Sequence, residues 1–222
     1  MLRLVKSLPN SVEIGIVLVL SFGDFVVASL SVALHHVTPH YDVRRLIFLV
    51  VFEIAILAVL FPFLRARGWT LEKIGFRPTF PGIGIGFLLF LAAYAAAAIA
   101  WYAIWLITPE TALRQLGARV IAKPIPLPVS LAVGLVNPFF EEVWVCGYLM
   151  TVLKRSHNPW LAISASVVLR VLYHLYQGAR GVLSITPVGL IFGVWYARTG
   201  RLWPLIVAHS VADLLALLMV GH

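Results

Sequence analysis

The segment NPFFEEVWVCGYL, residues 137–149, places two adjacent carboxylates, Glu141 and Glu142, in a stretch that is otherwise almost wholly apolar. Placing a charged side chain at the centre of a membrane costs about 3 kcal/mol or more. Two neighbouring charges there therefore need partners or a water-filled cavity. The segment lies within an apolar run over residues 127–153, and a run of roughly 20 such residues predicts a transmembrane helix.

The composition extends this prediction to the whole chain. Of its 222 residues, 61% are hydrophobic and 12% charged, whereas soluble domains are nearer 45–50% apolar and about 25% charged. We expect an all-α, polytopic membrane helix bundle of about seven, or eight, transmembrane helices. The apolar stretches are 12–34, 45–64, 82–107, 127–153, 158–177, 182–198 and 202–220.

These stretches fit a single integral-membrane domain over residues 1–222, with a motif-bearing core at about 127–220. The expected location is a membrane that the chain crosses several times, the plasma (inner) membrane if the source is prokaryotic. The lipid bilayer is thus the first expected partner. The longest loop, 108–126, carries prolines around an amphipathic stretch and is expected to lie at the membrane interface.

The charge balance and the single cysteine exclude several classes of function. A net charge of +8 would favour nucleic acid as a partner of a soluble protein, but here Lys and Arg lie in short loops that set topology. No nucleic-acid partner is expected. Ten Lys and Arg residues are expected on the same side of the membrane as the N-terminus, and six on the opposite side. This difference favours a cytoplasmic N-terminus. One cysteine, Cys146, excludes an internal disulfide and a cysteine-based metal site.

Ionisable residues recur in the later spans at helical spacing. Arg170 and His174 in the fifth span are four residues apart, as are His209 and Asp213 in the seventh, so each pair shares a helix face. A polar patch on a buried helix requires a polar partner. We infer that spans four, five and seven meet around one polar site. Asp24 lies in the first span and Glu53 in the second. Each could form an interhelical hydrogen bond, fix the register of two helices, or connect the site to water.

Several kinds of chemistry fit such a site. A carboxylate can act as a general base, and imidazoles can hold the same water or donate to a developing oxyanion. Asp213, one turn from His209, could fix the tautomer of that ring. This pattern predicts a water-activating hydrolase. Two histidines with carboxylates also match a divalent metal site, and a proton-coupled or metal transporter would use the same groups as a relay.

Three motifs in order resemble one family. They are EEVWVCG (141–147), RVLYH (170–174) and HSVAD (209–213), preceded by the connector WTLEKIGFRP (69–78). They resemble the Glu-Glu-x-x-x-Arg, Phe-x-x-x-His and His-x-x-x-Asn/Asp motifs of the CAAX protease and bacteriocin-processing (Abi-like) family of glutamic intramembrane endopeptidases, related to type II CAAX prenyl endopeptidases. The resemblance covers about residues 68–218 and is strongest over 130–214.

The resemblance implies an intramembrane endopeptidase that uses glutamate-activated water and requires no cofactor. By carry-over, Glu141 activates the water and His174 helps to hold it, while His209 and Asp213 stabilise the oxyanion. Glu142 supports the site. The implied substrate is a membrane-associated peptide or protein, lipidated or not, cleaved near a C-terminal tail in CAAX-type or sorting and processing reactions.

Two residues depart from the family motifs. The motif arginine is Cys146 here, and the motif phenylalanine is Arg170. An unpaired buried Glu142 would be costly, so we hypothesise that Arg170 supplies the missing cation from the fifth span. The alternative is that Arg170 extends towards the outer membrane interface. Cys146 is either an apolar filler or a nucleophile.

Two other functions follow from these departures. With Cys146 as nucleophile and His174 as its base, the protein would be a thiol-dependent sorting peptidase. Loss of the motif arginine also admits a non-catalytic immunity or scaffold relative with the same fold.

Overall fold

Helices form nearly all of the described structure, a computed structural model that describes residues 8–35, 40–107, 121–122, 125–154 and 158–220. The α-helices are α1 (Asn10–His35), α2 (Val43–Ala66), α3 (Phe80–Ile107), α4 (Leu127–Glu142), α5 (Thr151–Lys154), α6 (Pro159–His174), α7 (Gly178–Thr199) and α8 (Trp203–Val220). A π-helix, Val143–Met150, joins α4 to α5, and a 3-10 turn, Leu175–Gln177, joins α6 to α7. The all-α class is confirmed.

Each predicted apolar stretch coincides with one of these helical segments, but the number of membrane crossings stays a prediction. Within the described ranges, five segments are long and apolar enough to cross a membrane, namely Asn10–His35, Val43–Ala66, Phe80–Ile107, Leu127–Lys154 and Pro159–Thr199. Trp203–Met219 is apolar but shorter. The long apolar helices point to an integral membrane protein.

The segment Pro159–Thr199 is a hairpin and not one straight helix. The chain turns at Gly178, whose φ of 70° lies in the region that only glycine adopts readily. Beyond the turn, α7 packs antiparallel on α6. A methyl group on Gly193 would lie 3.1 Å from Ile163, and one on Gly189 would lie 3.3 Å from Arg170. Glycine thus lets α7 approach the helix that carries Arg170 and His174.

Local signals explain several helix ends. Asp42 precedes α2 and accepts a hydrogen bond of 2.9 Å from the Arg45 amide, and this bond holds the pKa of its carboxyl below the usual value. Asn158 caps α6 in the same way through the amides of Trp160 and Leu161, an arrangement typical of helix starts. Next to the first of these caps, the two-residue strands β1 (His40–Tyr41) and β2 (Ile121–Ala122) pair in parallel.

The bundle has two ends that differ in their polar contacts. At one end, where α1 begins and α2 ends, buried Glu13 accepts hydrogen bonds from Trp69 Nε1 at 2.9 Å and Tyr148 OH at 2.8 Å, and pairs with Arg67. The sequence analysis did not single out Glu13. At the other end, the Tyr176 amide donates to Ser29 Oγ at 2.8 Å. The candidate site opens towards this second end.

Residues 108–120 and 123–124 of the predicted interfacial loop lie outside the described residues.

A candidate active site between five helices

The adjacent glutamates face different surroundings, as their spacing predicts. Neighbouring residues on an α-helix are about 100° apart. Glu142 is completely buried, whereas Glu141 retains 7% of its surface and lines a cavity. One carboxylate therefore faces the cavity and the other faces the neighbouring helices.

Glu142 is held by two side chains from other helices. Arg170 Nη2 on α6 donates to Glu142 Oε2 at 2.6 Å, and His209 Nδ1 on α8 lies 2.9 Å from Glu142 Oε1. The hypothesis that Arg170 supplies a cation to Glu142 is thus confirmed as a contact. The alternative position is wrong, because the Arg170 side chain is only 3% exposed and lies within the bundle.

The cysteine at the position of the motif arginine helps to explain the ion pair between Arg170 and Glu142. Cys146, where the family motif has arginine, is fully buried, and its Sγ lies 3.5 Å from Arg170 Nη2. A thiol is much smaller than a guanidinium side chain, so it leaves room for an arginine that arrives from α6. Arg170 also lies over the Phe192 ring, 5.7 Å from its centre. The two departures from the motifs are therefore in direct contact.

Glu141 has a fixed donor at each carboxylate oxygen. Asn137 Nδ2 donates to Oε1 at 3.2 Å, and Tyr173 OH donates to Oε2 at 2.6 Å. The sequence analysis did not identify either donor. Asn137 could have been found, because it precedes Glu141 by four residues and so shares its helix face. Tyr173 carried no such signal.

His209 connects the two glutamates. Its Nδ1 is bonded to Glu142, while its Nε2 lies 4.0 Å from Glu141 Oε2 and 3.5 Å from Asp213 Oδ1. The expectation that Asp213 fixes the tautomer of His209 is corrected by this geometry. The hydrogen bond to Glu142 holds Nδ1, and Asp213 lies beside the nitrogen that faces Glu141.

His174 is oriented by the backbone of its own helix. Its Nδ1 lies 2.9 Å from the Arg170 carbonyl oxygen. Because a carbonyl can only accept, Nδ1 carries the hydrogen and Nε2 can accept a hydrogen bond from water. The ring is flanked by Tyr173 and Tyr176, with ring centres 4.5 Å and 6.0 Å away.

These groups share one cavity of about 830 Å³. Glu141, His174, His209 and Asp213 all line it, so the structure brings together the four residues proposed as catalytic. The lining from α1 and α2 is largely apolar, with Phe25, Val32, Phe48, Leu49 and Phe52, and it also includes Asp24, Arg44 and Arg45. Such a volume matches sites that bind small molecules or short peptide segments.

The supporting residues and the two weaker candidates lie around this cavity. Glu142, Arg170 and Cys146 are buried behind it and are not among its lining residues. Asp24 lines the cavity, as expected of a port to water. Glu53 accepts a hydrogen bond of 2.7 Å from Asn137 on α4, which confirms an interhelical bond.

Two features of the neighbourhood bear on metal binding and local geometry. Within the described residues, no group of three or more His, Cys, Asp and Glu side chains is placed to hold a metal ion; the expectation of no cofactor stays a prediction.

The π-helix that starts at Val143 follows directly on the glutamates. Such segments are frequent at functional sites, and nothing in the sequence analysis anticipated it.

Comparison with known proteins supports the resemblance found in the motifs. Residues 123–215 match the family model described as type II CAAX prenyl endopeptidase Rce1-like. The match contains all three motifs and agrees with the resemblance that they predict. This is a protease family. No curated protein and no solved structure matches the chain.

Proposed function

We propose that this chain, Rce1-like over residues 123–215, is a glutamic intramembrane endopeptidase. One observation carries the proposal. Glu141 faces a cavity with both oxygens fixed, and His209 Nε2 lies 4.0 Å from its Oε2. Groups at that separation can share a substrate atom or a bridging water.

In the proposed reaction, Glu141 removes a proton from a water molecule held with the help of His174 Nε2. The water oxygen attacks the peptide carbonyl carbon, and the carbonyl oxygen becomes an oxyanion. His209, protonated at both ring nitrogens between the carboxylates of Glu142 and Asp213, donates a hydrogen bond from Nε2 to this oxyanion. The C–N bond then breaks, and Glu141 returns its proton to the leaving amine. The products are a new carboxyl terminus and a free amine.

The walls of the cavity support a membrane-associated substrate. Apolar side chains of α1 and α2 line the cavity together with the polar residues of α4, α6 and α8. An extended peptide can place its scissile bond at the polar residues while an apolar or lipidated segment contacts the apolar side chains. Because α1 and α2 complete the cavity, the proposed functional unit is the whole domain 1–222 and not the motif-bearing core alone.

The decisive experiment is peptide cleavage by the purified protein in proteoliposomes. The substrates are two quenched fluorescent peptides that end in a CAAX sequence, one farnesylated on the cysteine and one unmodified. We expect wild-type protein to cleave at least one peptide and Glu141→Gln to be at least about a thousandfold slower. Cleavage by Glu141→Gln at the wild-type rate would refute the glutamate mechanism and favour the scaffold reading of this site.

The thiol alternative has less support from the geometry. The Cys146 side chain has no exposed surface and does not line the cavity. A nucleophile must reach the substrate, and Cys146 would reach it only after rearrangement of the Arg170–Glu142 pair. No contact favours the transporter alternative over hydrolysis.

A further inference from the structure

Glu53 is a buried carboxylate that the proposed reaction does not use. It lies on α2, is 0% exposed, and makes no ion pair within the described residues. Among the residues that the structure describes, Glu53 Oε2 has no hydrogen-bond partner. Leaving a buried polar group without a partner costs about 1–3 kcal/mol, and more for a charged group. Such a residue contributes little to stability, which suggests another role.

The Asn137 amide connects Glu53 to the proposed base. Asn137 Nδ2 lies 2.7 Å from Glu53 Oε1 and 3.2 Å from Glu141 Oε1. An amide nitrogen carries two hydrogens and can therefore donate to both carboxylates at once. Because both neighbours are acceptors, the NH2 end of the amide must face them. Glu53 thereby helps to hold the NH2 end of Asn137 towards Glu141.

The positions of the three residues define their order. Asn137 and Glu141 line the cavity, whereas Glu53 does not. Glu53 therefore lies behind Asn137 and has no access to a bound substrate. The Asn137 amide is the hydrogen-bonded link between Glu53 and the residues that line the cavity.

We propose that Glu53 is a positioning residue, which fixes the Glu141 carboxylate through the Asn137 amide. Tyr173 donates to the other Glu141 oxygen, and Arg170 Nη1 lies 3.7 Å from that oxygen, so the carboxylate is contacted from both sides. The inference rests on the proposed function, in which Glu141 is the base. A misplacement of about 1 Å in a catalytic group can slow a reaction about a hundredfold.

Kinetics with the farnesylated peptide test the proposal. Glu53→Leu removes the acceptor, and we expect kcat to fall at least tenfold while KM changes less than twofold. Glu53→Gln keeps a carbonyl acceptor for Asn137 and should retain at least half of the wild-type kcat. An unchanged kcat in Glu53→Leu, or an equal loss in Glu53→Gln, would overturn the proposal.

Glu13→Gln is the matched control. It alters another buried carboxylate, at the opposite end of the bundle, and should leave the kcat of the folded protein unchanged. Folding is checked by size-exclusion chromatography. If Glu53→Leu does not fold, Glu53→Met replaces it, because Met also lacks the oxygen acceptor.

A double-mutant cycle tests whether Glu53 acts through Asn137. Asn137→Ala should lower kcat at least as much as Glu53→Leu. If the amide carries the effect, the double variant should be no slower than Asn137→Ala alone, since neighbours that act as one unit are not additive. Losses that multiply in the double variant would contradict the proposal.

A second readout needs no substrate and separates the two proposals. The membrane-soluble reagent dicyclohexylcarbodiimide modifies carboxyl groups, and mass spectrometry gives its rate at Glu141. Glu53→Leu and Asn137→Ala should change this rate at least threefold in the same direction, and Glu53→Gln should restore it. Equal rates in all variants would refute the positioning role. Failure of the wild type to cleave either peptide would count against the proposed function, and this readout would still decide the inference.

Discussion

Moving the buried arginine from position 170 to position 146, where the family motif has it, tests whether the two positions exchange one cation for Glu142. Arg170→Phe removes the guanidinium 2.6 Å from Glu142, which has no exposed surface. Breaking a buried ion pair by removing one partner costs about 3–5 kcal/mol, so the variant should lose that much free energy of unfolding. Cys146→Arg alone places a second cation beside the first and should also destabilise the protein.

The double variant Cys146→Arg/Arg170→Phe carries the residues of the family motifs at both positions. If these two positions exchange one cation, the new arginine should pair with Glu142. The double variant should then be only about 1–2 kcal/mol below the wild type in its free energy of unfolding. The expected coupling is the sum of the two single losses minus the loss in the double variant, so it is at least about 3 kcal/mol and grows with the loss that Cys146→Arg causes. A coupling of about 3 kcal/mol equals roughly a hundredfold in the unfolding constant, since 1.4 kcal/mol is tenfold.

The assay is reversible unfolding in mixed micelles of increasing SDS content, followed by tryptophan fluorescence. Cleavage of the farnesylated peptide provides an independent readout of the same four proteins. A double variant whose loss equals the sum of the two single losses would refute the exchange. The substitutions would then be unrelated changes, and Glu142 would need another explanation for its burial.

Three further predictions address the site and its orientation. Tyr173→Phe removes one donor from Glu141 and should lower kcat about tenfold with little change in KM; an unchanged kcat would show that the bond has no role in the reaction. Cys146→Ser should keep at least half of the peptidase activity, and its complete loss would favour the thiol mechanism. In the Cys146→Ser background, a cysteine at Gln177 should react with an impermeant maleimide from outside intact cells, whereas one at Glu72 should react only after lysis. The reverse pattern would place the cavity on the cytoplasmic side.

The labelling prediction combines the charge count with the geometry of the bundle. Gln177 lines the cavity, and it lies at the end of the bundle where α1 ends and α2 begins. Glu72 lies at the other end, in the connector between α2 and α3. The Lys and Arg count assigns the Glu72 end to the cytoplasm. A substrate would then reach the site from the non-cytoplasmic side.

Composition and spacing were sufficient to predict the class of fold and the meeting of three helices. Apolar runs determine helices in a membrane because the backbone must satisfy its own hydrogen bonds there. The pairs Arg170/His174 and His209/Asp213 then identify the faces that must meet, because a polar face requires a polar partner. The contact between Arg170 and Glu142 followed from the same reasoning about an unpaired buried charge.

Other features depend on details that spacing does not encode. Tyr173 is one of seven tyrosines, and only the tertiary arrangement of the helices brings its hydroxyl to Glu141. The i,i+4 spacing predicts that Asp213 fixes the His209 tautomer, because this rule considers residues on one helix, yet Glu142 on another helix holds Nδ1. The π-helix after Glu142 also gave no sequence signal, and all eight of its residues are buried.

The adjacency of Glu141 and Glu142 now has a physical explanation. Glu142 is bonded to Arg170 and His209 and has no exposed surface, so it does not present its carboxylate to the cavity. Two consecutive residues, about 100° apart, divide the anchoring of helices from the lining of the cavity. Glu142 joins α6 and α8 through Arg170 and His209, and Glu141 presents its carboxylate to the cavity. His209 contacts both regions, so any movement of the Glu142 anchor would also displace the imidazole that lies 4.0 Å from Glu141.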